Sequence, residues 1–372
     1  MRLVISQELL SAVLSSVGKA VATRNINPVL NHVRLVVEAD SLTVTATDGD
    51  FTIRRAVAIA GATAGRTLAP ARLLSDLVNR LPKKEIELAL HGNQLHISVG
   101  RSTYDLTVMG DENFPELPDF SGHRLLAVPA SLLKRALSQT VFSAIKDSST
   151  GAVHYTNGVL FSFKHGRLDI VATDGHRLAL KSNDGLSLGD FEKDLLLPAR
   201  AADELERMLP DDEDSAAELF HMSNQVFFRF SNLLVATALL DVKFPDYERV
   251  IPKDVESKVH VGREELTDAL GRVLLVCRQK DQNPVAHLET SGDTLKITSD
   301  GGEIGKGEEE VGAEVAGGDI KIALNPAYLI DAFKTLGGEQ VTVNWNNEFS
   351  PVKITSPRDP DYTYIVMPIR MD

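Results

Sequence analysis

A single cysteine, Cys277, stands in 372 residues. It has no partner for an internal disulfide and none for a CxxC pair, so disulfide scaffolds, zinc ribbons and dithiol redox centres are excluded within the chain. Its economical role is that of a small buried hydrophobe. Aromatic residues are scarce, at 6%. No apolar run approaches the ~18 residues of a membrane span. The opening MRLVISQELL lacks the charged-then-apolar order of a secretory signal, and the two features together predict a cytoplasmic protein. Positive charge is also in deficit, with 39 Lys and Arg against 52 Asp and Glu and a net charge of -13. That sum excludes a uniformly basic nucleic-acid binder, yet it leaves room for one basic face inside an acidic shell.

What is present is an ordinary globular composition, 43% hydrophobic and 24% charged, in a chain long enough for two or three cores. One long pattern occurs three times. Its first marker is a strand that ends in an Asp-Gly or Asp-Gly-Gly turn: LTVTATDGDF, LDIVATDGHR and LKITSDGGEI, with Asp48, Asp174 and Asp300 spaced by 126 residues. The second marker is a proline at the entry to a helix, in LAPARLLSDLVNRLP, LLPARAADELERMLP and ALNPAYLIDAFKTLG. Pro70, Pro198 and Pro326 are 128 apart, and proline suits a first helical turn because its missing N–H has no partner there anyway. In the first copy Leu73, Leu74, Leu77, Val78 and Leu81 predict one buried stripe.

The third marker is an earlier helix in each copy, starting near Ser6, Ala130 and Gly262, with Ser6 and Ser131 as expected N-caps. Between the helices the chain alternates like half-buried strands, as in IELALHGNQLHISV. The fold class predicted is therefore α+β, with three tandem repeats of two helices plus antiparallel sheet at residues 1–121, 122–252 and 253–372. Sheets of this kind leave edge strands that repeated domains can cover by pairing with one another.

Two segments invite enzymatic readings and fail them. Asp174-Gly175-His176 looks like an acid–base pair, but Asp-Gly recurs at Asp48 and Asp300 without a following histidine, so the aspartate is a turn residue. The stretch GGEIGKGEEEVG carries Gly305-Lys306, yet Asp300 occupies the first glycine position of a phosphate loop and Gly307 replaces its Ser or Thr. His91 and His96 lack metal-ligand spacing on a helix face. No catalytic residue and no metal site is predicted.

Four further segments, ATDGHRLAL, FPDYERVIP, RNINPVL and the terminal YIVMPIRM, set within the threefold repeat, resemble the bacterial DNA sliding clamps, the beta subunits of the replicative polymerase. The resemblance runs end to end. It implies a non-catalytic processivity subunit without cofactor, a head-to-tail homodimeric ring around double-stranded DNA that is bound without regard to sequence. Its implied partners are a clamp loader, the replicative polymerase and other proteins with a clamp-binding motif, with no membrane involved. The partner pocket implied lies between the second and third domains. It would use Thr156, Thr173, Gly175, His176, Arg177, Leu178, Pro245, Arg249 and Val250, closed from the C-terminus by Ile365, Met367, Pro368, Ile369 and Arg370. Thr156 stands where the family often has leucine and Ile369 where it often has methionine. DNA contacts carried over are Arg24, Arg72, His154, Tyr155 and Arg200, with His154 in place of an aromatic residue. The implied dimer interface sets Leu275 and Val276 against Tyr104 and Leu106 of a neighbouring copy.

Overall fold

The computed structural model describes residues 1–22, 27–146, 153–186, 191–277, 284–302 and 305–370. Among them are six α-helices: α1 (Gln7–Val17), α2 (Ala71–Arg80), α3 (Ala130–Ser138), α4 (Ala199–Met208), α5 (Arg263–Val276) and α6 (Pro326–Thr335). All strand pairings are antiparallel. The chain forms two compact units, one of residues 1–134 with 204–239 and the other of residues 135–203 with 240–372. The stretch 122–252 is thus divided between units, because each unit is built on a sheet that runs through two repeats.

In the first unit a four-stranded sheet has the order Arg2–Ser6, Glu85–His91, Gln94–Val99, Ser102–Thr107. An eight-stranded sheet joins the first repeat to the second where Phe51–Ala58 pairs with Leu233–Ala238. Ser6 caps α1 by accepting the Leu9 N–H at 3.3 Å, as the sequence suggests. Leu10, Val13, Leu14 and Val17 bury one face of that helix. The Gln7 side chain donates to the Val78 carbonyl at 2.8 Å and ties α1 to α2. The stripe on α2 is narrower than the leucine spacing implies: Leu74 and Val78 are buried, whereas Leu73 is 54% exposed.

The second unit is built on one twelve-stranded sheet. Its central junction pairs Arg177–Asn183 with Asp359–Val366, Leu178 opposite Ile365 and Ala179 opposite Tyr364. Its main core packs Leu266, Ala269, Leu270 and Val273 of α5 and Leu329 and Phe333 of α6 against the sheet, with Tyr362 and Tyr364 fully buried. Cys277 belongs to this core. The helix entries vary. Asn325 caps α6 and Pro326 takes the first helical position, but Pro70 and Pro198 end the preceding strands. Ser131 lies inside α3 and is not its N-cap, because strand Arg124–Pro129 runs directly into the helix.

Phe333→Ala removes a side chain that is completely buried in the second unit's core, and it should lower the stability of that unit by about 3–5 kcal/mol. Hydrogen exchange reads it, with faster exchange across α5 and α6 and unchanged protection of α1 and α2. Equal loss in both units would contradict the division.

Candidate peptide-binding groove

The three Asp-Gly turns behave as turn chemistry. The Asp48 carboxylate accepts the Asp50 and Phe51 N–H groups, Asp174 accepts those of His176 and Arg177 at 2.9 and 3.0 Å, and Asp300 accepts that of Gly302. Gly175 adopts φ of 91°, a conformation that favours glycine. The Asp174 turn delivers His176, Arg177 and Leu178 to one end of the strand junction.

There a groove of about 200 Å³ is lined by Tyr155, Thr173, Gly175, His176, Arg177, Leu178, Pro245, Asp246, Tyr247, Val250, Ile365 and Met367. The floor is Leu178 beside Ile365, fixed by strand pairing. The Met367 N–H donates to the His176 carbonyl at 2.8 Å, so the C-terminal segment closes one wall. Tyr155 packs edge-on against Phe244, with ring centroids 5.8 Å apart. Tyr247 donates its hydroxyl to Asp169 at 2.9 Å; burial, then Asp169, raises the phenol's pKa and keeps it neutral. Val250 and Met367 are 43% and 41% exposed. Exposed apolar side chains around an apolar slot mark a binding surface, and the volume admits one or two side chains.

Arg177 anchors the groove from below. Its guanidinium donates to Asp174 at 2.9 Å, to Asp331 on α6 at 2.8 Å and to the Phe142 carbonyl at 2.8 Å. It also lies 4.4 Å from the Tyr328 ring centroid. Burial opposes its charge, but Tyr364, Asp331 and Asp174 outweigh that and raise its pKa above the usual value. All three guanidinium nitrogens are engaged, so the residue is a strut whose position sets the adjoining His176 and Leu178.

Not all the residues implied by resemblance line the groove. Arg249 points to solvent and pairs with Asp246 at 2.8 Å. Thr156 is buried and hydrogen-bonded to His154 at 2.9 Å. Pro368, Ile369 and Arg370 continue past it, with the Ile369 N–H donating to the Ala323 carbonyl. Conversely Tyr155, expected toward DNA, forms part of the lining. Asp246 and Tyr247 were missed, although both sit inside the segment FPDYERVIP. His154 is exposed and its ring lies tilted against that of Tyr155, centroids 4.0 Å apart. Arg72 is 96% exposed and only 3.8 Å from Asp76, a weak surface pair. It borders a larger cavity of about 600 Å³ between α1 and α2 whose walls mix Leu14, Val33, Lys19 and Asp76. Arg200 is exposed at the start of α4. Arg24 lies outside the described residues. Among the described residues no group of three or more His, Cys, Asp or Glu is placed to hold a metal ion, and no helix is long and apolar enough to cross a membrane.

Models of the DNA polymerase III beta subunit match the chain in succession: the N-terminal domain at residues 1–118, the central domain at 127–246 and the C-terminal domain at 248–370. The chain belongs to the beta sliding clamp family. It is 32% identical over 377 residues to the beta sliding clamp of Synechococcus elongatus and 28% identical to that of Bacillus subtilis, with full coverage of all chains. The structure of the DNA polymerase III subunit beta from Pseudomonas aeruginosa superposes with a TM-score of 0.90 at 30% identity, again over both whole chains. A Bartonella birtlesii sliding clamp bound to griselimycin gives 0.92 at 28% identity. For a clamp-family chain, the α+β repeat with antiparallel sheets is the expected architecture.

Arg177→Ala should cost the second unit about 3 kcal/mol, since it strands two carboxylates that the guanidinium neutralises. Arg177→Lys should restore little, because an ammonium cannot span Asp174, Asp331 and a carbonyl together. Chemical denaturation measures both, and full recovery by lysine would refute the strut.

Proposed function

We propose that the chain is a non-catalytic sliding clamp of the cytoplasm, in which two copies, each of three domains at 1–121, 122–252 and 253–372, close head to tail around duplex DNA. A loader opens the ring, and the replicative polymerase and other proteins carrying the clamp-binding motif attach through the groove at Leu178, Ile365 and Met367. Tethering raises processivity because a polymerase that lets go of the primer stays at high effective concentration. Contacts to DNA go to phosphates, which carry no sequence information and permit sliding. Arg24, Arg72, His154, Tyr155 and Arg200 are the proposed contacts.

The observation that carries this reading is a missing junction. Two repeat-to-repeat strand pairings are made inside the chain, Ile53 opposite Val235 and Ala179 opposite Tyr364. The third has both halves and no partner among the described residues. Strand Ser102–Thr107 is the outer strand of its sheet, and Lys306–Gly312 is paired along one side. Repeat register supports a match. Counted four residues on from Leu42, Leu168 and Leu295, three buried positions correspond: Ala46 pairs with Ile53, Ala172 with Ala179 and Ser299 with Gly307. Phe228 pairs with Val235, Ile354 with Tyr364 and Ile97 with Tyr104. On that correspondence the proposed pairing sets Gly307 of one copy opposite Tyr104 of the next.

The side chains suit that pairing. A Cβ at Gly307 would lie 2.6 Å from Val276 Cγ2, so glycine keeps the space over Val276 open. Tyr104 is 39% exposed, whereas its counterpart Tyr364 is fully buried; Leu275 nearby on α5 is 71% exposed. Leu106 and Val276 complete the apolar contact proposed. Lys306, bonded within the chain to Asp300 at 2.8 Å, would come opposite Asp105.

Leu275→Asp combined with Val276→Asp should give monomers in sedimentation, because unpaired carboxylates oppose burial. The same variant should lose the retention on closed circular DNA that wild type shows, while neither protein stays on linear DNA after a salt wash. Equal release of wild type from circular and linear DNA would refute topological linkage.

A further inference from the structure

The segments that lead out of the first and second repeats are versions of one another. Phe114-Pro115 begins one and Phe244-Pro245 the other, and the third and sixth residues after the phenylalanine are Leu117 and Phe120 in the first, Tyr247 and Val250 in the second. Both phenylalanines at the start are buried. The junctions beside these segments also correspond. Thr52 pairs with Ala236 in the first as Leu178 pairs with Ile365 in the second. Thr47 accepts the Gly49 N–H at 3.1 Å as Thr173 accepts that of Gly175 at 3.1 Å. The first junction therefore has the backbone of the groove.

What differs is the sheet face beside it. Phe227 pairs with Ala236 and with Phe220 in the second repeat; at the matching places of the third repeat Lys353 pairs with Ile365 and with Asn344. On the aromatic face Phe120 stacks on Phe227, centroids 4.4 Å apart and planes at 11°, and meets Phe220 edge-on at 5.0 Å. With Leu117 it packs against the buried cluster that Phe220 and Phe227 form with Leu234 and Ala236. On the polar face Val250 has no such partner among the described residues and stays 43% exposed.

We infer that Phe120 is an internal ligand: from the sheet face beside the first junction, where it packs in one cluster with Ala236, it covers that junction's copy of the partner groove, so that each chain offers one peptide site where its backbone provides for two. Freed of Phe120, that second site would take the same class of ligand, an extended peptide with aliphatic and aromatic anchors, because Phe220, Phe227, Leu234 and Ala236 already accept an aromatic ring. The inference rests on the reading of the groove at Leu178 and Ile365 as a peptide site.

Calorimetric titration of the full chain with a peptide bearing a glutamine followed by leucine and phenylalanine tests it. Wild type should bind one peptide per chain and Met367→Asp none. Phe120→Val, which copies the second segment, and Phe120→Ala should each bind two, the added site roughly ten- to a hundredfold weaker because Thr52 and Ala236 replace Leu178 and Ile365. Phe120→Val with Met367→Asp should bind one. A single site in folded Phe120→Val, or none in the double variant, overturns the inference while leaving the groove reading intact. No binding by wild type removes the groove reading itself, and the inference with it.

Discussion

An exposed strand edge presents a row of unpaired N–H and C=O groups, and the rest of this molecule is arranged around where those edges go. Each repeat has an edge at Phe51–Ala58, Arg177–Asn183 or Lys306–Ala316 and another at its last strand. Two of these edges find the next repeat and make continuous sheets of eight and twelve strands. The segment that leaves each of the first two repeats packs against the sheet beside the new pairing. A groove at a junction is a geometric consequence of that route, since one strand stops, another begins and the connecting segment covers only part of the step.

Side-chain chemistry then makes similar backbones into different surfaces. At the second junction the turn residue Asp174 and the α6 residue Asp331 hold Arg177, and the charge is buried with its partners in place. An arrangement of this kind adds little net stability relative to an apolar core of the same shape, but removing one member is costly, so it specifies position. The first junction has Phe51 and Thr52 in the corresponding strand and Phe120 stacked on Phe227 in the cluster that includes Ala236. One junction is braced by Arg177 and open, the other apolar and covered.

The charge distribution follows the same logic of local pairing. Strand Lys306–Ala316 is strongly acidic, yet Glu309 is held by Arg272 and Glu308 by Lys296, each at 2.8 Å. Arg272 pulls the Glu309 pKa below the ordinary carboxylate range. The net charge of -13 is therefore a sum over faces with separate roles, and it does not fix the potential at any one of them.

The repeat, the helices and the family were legible in the residues because turns and helix faces depend on neighbours within a few positions: Asp174 with Gly175, Ser6 with Leu9, Leu266 with Ala269, Leu270 and Val273. The groove was legible in part, through segments whose members turned out adjacent, such as Thr173 to Leu178. Tertiary structure decided the remainder. Whether Leu73 faced solvent, whether Tyr155 joined the groove and whether Arg249 left it depended on elements far away in the chain. That Phe120 found Phe227 while Val250 found no equivalent depended on residues about a hundred positions distant, with Lys353 standing where an aromatic ring would be needed. Local hydrogen-bonding preference writes itself into short sequence patterns; the choice of packing partner across a sheet is a property of register, and register exists only once the chain has folded.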